Sequence, residues 1–170
     1  MNLLKKVYCR AYQAVFKAAI PILPYRTPNV LKSVTDVPAT LCKRGVECVM
    51  IVTDLSVRKL GLTDPLEEAL AEKNIKYVVY DKTVPNPTVN NVEEAREEYL
   101  KYNCSSLIGF GGGSAMDCAK AVGARIARPK MPVSKMEGIL KIVFRTPFTI
   151  AIPTTAGTGS ETTVTTVITD

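Results

Sequence analysis

Short apolar runs alternate with amphipathic segments along most of the chain. The runs have the length and the branched residues of strands that are buried on both faces, and they lie at residues 48–53, 75–80, 106–110 and 148–152. Between them, helical spacing of apolar residues predicts a helix with Asp64 as its N-cap and Pro65 in its first turn, followed by helices at residues 92–101 and 115–127. Buried strands joined by helices predict an α/β fold, in which helices flank a parallel sheet through right-handed crossovers.

The pattern differs at the two ends of the chain. Apolar residues at helical spacing within residues 4–19 lie opposite four basic residues, which predicts a basic amphipathic helix. We expect this helix to dock on its own domain or on a sister subunit rather than on a membrane. Residues 25–38 are predicted as a loop or edge segment, and residues 163–169 as a further strand. These features predict an N-terminal helical arm at residues 1–24 and one domain at residues 25–170, which is expected to be incomplete at its C-terminus.

Composition narrows the classes of protein. The chain has 170 residues, a net charge of +6 and a hydrophobic fraction of 46%, which is typical of a globular domain and excludes disorder. It contains no histidine, so by itself it cannot be a complete histidine-dependent enzyme. Five cysteines without a Cys-x-x-Cys pair predict reduced, mostly buried thiols.

Neither a membrane span nor a secretory signal is found, so we expect a cytoplasmic protein. No tyrosine cluster is interleaved with a basic patch, which argues against a nucleic-acid platform.

A glycine-rich cluster at residues 109–117 lies between a predicted strand and a predicted helix. Consecutive glycines permit positive φ angles and the close approach of another group to the backbone. With Ser114 as the N-cap and Asp117 in a variant capping box, the helix N-terminus would form an anion site that fits a pyrophosphate. A tight turn without a ligand is the alternative. The P-loop motif is absent, and the Rossmann glycine fingerprint is only approximated.

Polar or small residues follow each of the four predicted strands. They include Asp54 after the first strand, Asn86 after the second, and the segments 111–114 and 154–160 after the third and fourth. Ligands of open parallel sheets bind outside the carboxyl ends of the strands, so we expect these segments to face one site. A carboxylate can accept hydrogen bonds from both ribose hydroxyls and repels a 2′-phosphate, which favours NAD over NADP, although the nearby Arg58 and Lys59 could soften that preference.

These residues resemble the iron-containing (group III) alcohol dehydrogenases. The matching pieces, in order, are residues 52–54, 86–88, 111–120 and 153–161. The resemblance implies that residues 25–170 are a Rossmann-like dinucleotide-binding domain, in which Asp54 recognises the adenosine ribose and Asn86 contacts the cofactor. The resemblance also implies further cofactor-binding residues, which hold the pyrophosphate or line the cofactor towards its nicotinamide. They are Gly111, Gly112, Gly113, Ser114, Asp117, Thr154, Thr155, Thr158 and Thr163.

In that family a helical C-terminal domain supplies a divalent metal site of one Asp and three His residues. The resemblance therefore implies a dehydroquinate synthase-like fold without this metal domain. It also implies hydride transfer between a primary alcohol or aldehyde and NAD(H), with Fe²⁺ or Zn²⁺, in the full-length enzyme. We expect this chain alone to bind no metal and to have no turnover. Two alternatives stay open, a glycerol dehydrogenase-like polyol oxidoreductase and a noncatalytic nucleotide-binding or assembly module. A small-molecule substrate is expected, with no nucleic-acid or membrane partner, and a homo-oligomer is left open.

Overall fold

The computed structural model describes residues 3–19, 28–138, 141–142 and 144–170. It divides into two compact units, Met1–Val30 and Leu31–Asp170. The first unit contains helix α1 (Leu3–Ala19), as the amphipathic pattern predicted. Within the described parts of the chain, no helix is both long and apolar enough to cross a membrane. The domain boundary after residue 24 stays a prediction.

Four parallel strands form the sheet of the second unit, in the order β2-β1-β3-β4. The strands are β1 (Cys48–Val52), β2 (Lys76–Tyr80), β3 (Ser106–Gly111) and β4 (Phe148–Pro153). Val49 of β1 pairs with Tyr77 of β2 and with Ser106 of β3, so β1 lies inside the sheet. The four strands and their parallel arrangement confirm the predicted α/β fold.

Helices cover both faces of this sheet. They are α2 (Val37–Cys42), α3 (Leu55–Lys59), α4 (Asp64–Glu72), α5 (Val89–Lys101) and α6 (Gly113–Ala127). Alternate residues of β1 point to opposite faces: Met50 and Val52 pack against α5 and α6, whereas Val49 and Ile51 pack against α2 and α4. The core therefore has three layers. The inner strands β1 and β3 are buried along their whole length, whereas the edge strands β2 and β4 are partly exposed.

The predicted loop at residues 25–38 is helical in its last part, which corrects the prediction. A 3-10 turn (Val34–Asp36) leads directly into α2. Ser33 and Asp36 form a capping box, in which the Asp36 carboxylate accepts a hydrogen bond from the Ser33 N–H at 3.2 Å. Two local signals, the capping pair and a proline in the first turn of α2, therefore outweigh the polar character of the segment. Residues 25–27 of the predicted loop lie outside the described residues.

Residues 163–169 form an irregular segment rather than the predicted strand. An isolated parallel bridge joins Thr169 to Thr88. The Val167 N–H donates a hydrogen bond to the carboxylate of Asp117 at 3.1 Å. Its acceptor is therefore a side chain of α6 and not the backbone of a neighbouring strand. The β-branched residues favoured a strand locally, and tertiary contacts with α6 decided otherwise.

Helices α4 and α5 begin at other residues than predicted, and α3, like α2, was not predicted. The N-cap of α4 is Thr63 rather than Asp64, which is the first helical residue. Helix α5 begins at Val89, three residues before the predicted start, because Thr88 and Asn91 form a capping box. Helix α3 follows β1 after two intervening residues and is too short to show helical periodicity.

Candidate functional site

The carboxyl ends of the four parallel strands lie along one edge of the sheet. The chain passes from β1 to β2 on one side and later reaches β3 on the other side, so a topological switch point lies between β1 and β3. Asp54 follows β1, and residues 111–113, named here the glycine turn, end β3 and begin α6. Asn86 follows β2, and Thr154 follows β4. The structure thus brings the four segments to one edge, as expected from the sequence.

The glycine turn joins β3 to α6 where side chains do not fit. Gly111 has a φ of +145°, and a Cβ on it would lie 2.9 Å from the Cβ of Ala115. Gly109 lies just before the turn, and a Cβ there would lie 3.0 Å from the Cα of Met116. Glycine at these positions lets α6 pack directly on β3, which brings the N-terminus of the helix to the switch point.

Helix α6 begins at Gly113 with Gly112 as its N-cap, so the predicted N-cap role of Ser114 and its capping box with Asp117 were wrong. A Cβ on Gly113 would lie 3.1 Å from Ser160 Oγ, which leaves little space for a side chain at this first helical position. No side chain caps the 15-residue helix, so its first-turn N–H groups and the positive end of its dipole lie at the turn. Such a helix end attracts anions.

Asp54 is both the N-cap of α3 and a neighbour of the glycine turn. Its Oδ1 accepts hydrogen bonds from the N–H groups of Ser56 at 2.9 Å and Val57 at 3.0 Å. Its Oδ2 lies 3.5 Å from the position that a Cβ on Gly111 would occupy. One carboxylate oxygen therefore stabilises α3, and the other lies at the switch point, where it can accept hydrogen bonds from hydroxyl groups of a ligand.

Asn86 links the segment after β2 to the first turn of α6. Its backbone has a φ of +56°, a left-handed conformation that asparagine tolerates better than most residues. Its N–H donates a hydrogen bond to Ser114 Oγ at 3.3 Å. Ser114 therefore joins two segments of the site instead of capping the helix.

Residues 154–167, named here the threonine loop, lie over the glycine turn. The Thr154 N–H donates a hydrogen bond to the Gly111 carbonyl at 2.9 Å. Thr155 Oγ1 lies 3.5 Å from the place where a Cβ on Gly112 would be, and Thr158 Cβ lies 3.6 Å from the equivalent point at Gly113. These threonines line the space that the glycines leave open. Hydroxyl groups and a helix N-terminus meet there, and this set of donors fits a pyrophosphate.

Asp117 and Thr163, which the resemblance places among the cofactor-binding residues, form bonds within the protein. Asp117 Oδ1 lies 3.0 Å from Lys120 Nζ, while its Oδ2 accepts the hydrogen bond from Val167. Thr163 Oγ1 lies 3.1 Å from the same Nζ. A direct cofactor role of both residues stays a prediction. Sequence reasoning missed Lys120, and the i,i+3 spacing of opposite charges in a predicted helix was the signal that could have identified it.

The guanidinium group of Arg58 is engaged within the protein. Its NH1 group donates a hydrogen bond to Thr63 Oγ1 at 2.9 Å and pairs with the buried Glu67. Lys59 is exposed. Arg58 and Lys59 could each attract a 2′-phosphate, but Arg58 is already paired with Glu67 of α4.

Cys118 and the other described side chains offer no metal centre. Cys118 is fully buried in α6, and burial raises the pKa of its thiol to about 12, so the thiol stays protonated at neutral pH. Across the residues that the structure describes, no group of three or more His, Cys, Asp or Glu side chains is arranged to hold a metal ion. The residues present thus fit a dinucleotide and, without a histidine, do not supply the one Asp and three His residues of the family's metal site.

Comparisons with known proteins agree with this geometry. The family model of iron-containing alcohol dehydrogenases matches residues 30–170. A choline dehydrogenase of Bacillus subtilis (strain 168) is 43% identical over 128 residues, which cover 74% of this chain and 32% of that protein.

Solved structures show the same relationship. A 1,3-propanediol oxidoreductase superposes with a TM-score of 0.76 at 30% identity, covering 82% of this chain and 37% of that chain. A sulfoacetaldehyde reductase from Bifidobacterium kashiwanohense, solved in complex with NAD⁺, superposes with a TM-score of 0.74 at 27% identity, covering 86% of this chain and 39% of that chain. The present chain thus spans roughly a third of the length of these relatives.

Proposed function

The chain belongs to the iron-containing alcohol dehydrogenase family, and we propose that it forms the NAD(H)-binding part of an enzyme that transfers hydride between a primary alcohol or aldehyde and NAD(H). The observation that carries this proposal is the position of Asp54 beside the glycine turn, at the switch point of a parallel sheet. The named substrates of the relatives, choline, 1,3-propanediol and sulfoacetaldehyde, are small alcohols or aldehydes, which supports the substrate class.

Different residues at the carboxyl edge of the sheet would bind different parts of the cofactor. Asp54 Oδ2 would accept hydrogen bonds from the adenosine ribose, and its negative charge would disfavour the 2′-phosphate of NADP. The glycine turn and Ser114 would hold the pyrophosphate at the N-terminus of α6, where the helix dipole favours negative charge. Asn86 would contact the cofactor from the side of β2. The residues that would line it towards the nicotinamide are Thr154, Thr155, Thr158 and Thr163.

The contribution of this chain to the reaction is orientation. When bound, the cofactor supplies the hydride acceptor or donor at C4 of the nicotinamide. Anchoring its ribose and pyrophosphate on rigid strand ends would fix the direction in which the nicotinamide extends. The described residues do not provide a metal-ligand set, so no metal-dependent step is assigned to them, and we expect no turnover by this chain alone.

Calorimetric titration of the chain with NAD⁺, NADP⁺ and ADP-ribose tests the proposed binding. NAD⁺ and ADP-ribose should bind, and NADP⁺ should bind more weakly. Gly113→Val would fill the space beneath Thr158 and Ser160 and should weaken binding about tenfold or more, since a charge-assisted hydrogen bond contributes roughly 1.5–3 kcal/mol. Lys76→Ala, at the exposed opposite end of the sheet, is the matched control and should bind like the unsubstituted chain.

A chain that is folded by circular dichroism and binds neither NAD⁺ nor ADP-ribose would contradict the proposal. The expected lack of turnover is tested separately by following NADH formation from butanol in the presence of Fe²⁺ or Zn²⁺. Steady NADH formation by this chain alone would show that expectation to be wrong.

A further inference from the structure

The ammonium group of Lys120 lies among oxygen atoms of the threonine loop. Its Nζ is 2.7 Å from the Thr165 carbonyl, 3.1 Å from the Ser160 carbonyl and 3.1 Å from Thr163 Oγ1. The side chain is largely buried, with 21% of its surface exposed, so little water competes for these bonds. An ammonium group is suited to this arrangement because its three N–H donors can be directed to several acceptors at once.

Asp117, one turn earlier on α6, extends the same contact. Its Oδ1 lies 3.0 Å from Lys120 Nζ, its Oδ2 accepts the Val167 N–H at 3.1 Å, and its backbone carbonyl accepts the Thr166 hydroxyl at 2.7 Å. Together, Lys120 and Asp117 therefore bind five residues of the loop, between residues 160 and 167, on one side of the helix.

The threonine loop has few other means of attachment. Val164 and Val167 are 82% and 69% exposed, so they add little apolar burial. Gly157 and Gly159 have positive φ angles of 89° and 66°, and the loop contains no strand or α-helix. A segment of this kind, with few buried contacts, opens at low free-energy cost unless polar contacts hold it.

Ser160 connects this attachment to the proposed cofactor site. Its carbonyl accepts a hydrogen bond from Lys120, and its Oγ lies 3.1 Å from the position of a Cβ on Gly113. Thr158, two residues earlier, lies over the same glycine. The distance between the threonine loop and the glycine turn therefore depends on a contact made on the flank of α6, away from the turn itself.

We propose that Lys120, paired with Asp117, is a positioning residue that holds the threonine loop over the glycine turn and so preorganises the site for the dinucleotide. This inference rests on the proposed function, because it concerns the same site. Lys120 acts through the loop and is not proposed to contact the cofactor. Without the Lys120 ammonium group, we expect the loop to be in place in only about a tenth of the molecules. The apparent affinity for NAD⁺ then falls about tenfold, because it is proportional to the fraction of molecules that can bind.

Lys120→Met tests this, because methionine keeps much of the aliphatic packing and removes the charge. Two quantities are measured on the 170-residue chain: the affinity for NAD⁺ by calorimetry, and amide hydrogen exchange in the threonine loop and in β1 and β3. We expect about tenfold weaker binding and faster exchange in the loop, with unchanged protection in the strands. Lys130→Met, at an exposed lysine, removes the same charge and should change neither quantity.

Three outcomes would overturn the inference: unchanged loop exchange in the Lys120→Met variant, faster loop exchange with unchanged NAD⁺ affinity, or an equal loss of affinity in the Lys130→Met control. If the strands of Lys120→Met lose protection, Lys120→Gln replaces it under the same criteria. Its side chain is uncharged and one atom shorter, so we expect the same weaker binding and faster loop exchange. If the unsubstituted chain did not bind NAD⁺, the proposed function would be contradicted, and so would the cofactor part of this inference. Hydrogen exchange in the loop would still show whether Lys120 holds the loop in place.

Discussion

Asp54 has two roles that different substitutions separate. Oδ1 caps α3 through Ser56 and Val57, whereas Oδ2 lies next to Gly111. Asparagine can keep the capping oxygen, but its amide nitrogen then occupies the place of Oδ2 and turns an acceptor without hydrogens into a donor. Alanine removes both groups. Asp54→Asn should therefore change cofactor binding alone, and Asp54→Ala should change cofactor binding and stability.

The sizes of both effects follow from these contacts. Loss of an N-cap side chain costs about 1 kcal/mol of stability, whereas an Asp to Asn exchange at this position is nearly neutral. For a domain of this size, 1 kcal/mol lowers Tm by about 2–4 °C. Hydrogen bonds to a charged group contribute roughly 1.5–3 kcal/mol each, so losing the ribose contact should weaken NAD⁺ binding by about 10- to 100-fold. NADP⁺ should lose less, because the repulsion of its 2′-phosphate is removed as well.

Thermal unfolding and calorimetry with both dinucleotides measure the two effects. Glu72→Gln, which neutralises an exposed carboxylate in the last turn of α4, serves as the charge-matched control and should leave cofactor binding unchanged. If Asp54→Asn keeps the original ratio of NAD⁺ to NADP⁺ affinity, the ribose role of Asp54 is refuted. If Asp54→Ala unfolds at the original temperature, the capping argument is refuted.

Two further predictions concern stability and cysteine reactivity. Gly111→Ala should lower the free energy of unfolding in urea by about 2–3 kcal/mol, because the added Cβ would lie 2.9 Å from the Cβ of Ala115 at a φ of +145°. An unchanged urea concentration at the unfolding midpoint would contradict the close packing of α6 on β3. In the folded chain a thiol reagent should modify the exposed Cys9 and Cys42 rapidly, while the buried Cys48, Cys104 and Cys118 should react only on unfolding. Burial raises the pKa of Cys104 and Cys118, which keeps them as unreactive thiols, so rapid modification of more than two cysteines would show that the core opens more readily than its burial suggests.

Local chemistry made much of the fold predictable. The inner strands β1 and β3 follow from largely apolar runs, which are typical of a sheet covered on both faces. The glycine turn was recognisable because three consecutive glycines between a strand and a helix allow a backbone path that side chains would block. The helix starts were less predictable, since competing caps differ by small free energies. Gly112 rather than Ser114 is the N-cap of α6, and the Ser114 hydroxyl instead accepts a hydrogen bond from the N–H of Asn86, which lies 28 residues earlier in the chain.

The amino-acid pattern alone therefore established the α/β class, the parallel strands and the residue types at their carboxyl ends. The order of the strands, and with it the placement of Asp54 beside Gly111, depended on pairing between distant segments, which no local periodicity encodes. The same holds for residues 163–169, where β-branched residues favour a strand. Backbone groups of this segment instead form hydrogen bonds with Lys120 and Asp117 across separations of 43 to 50 residues, because largely buried charges gain most from polar partners wherever the fold brings these within reach.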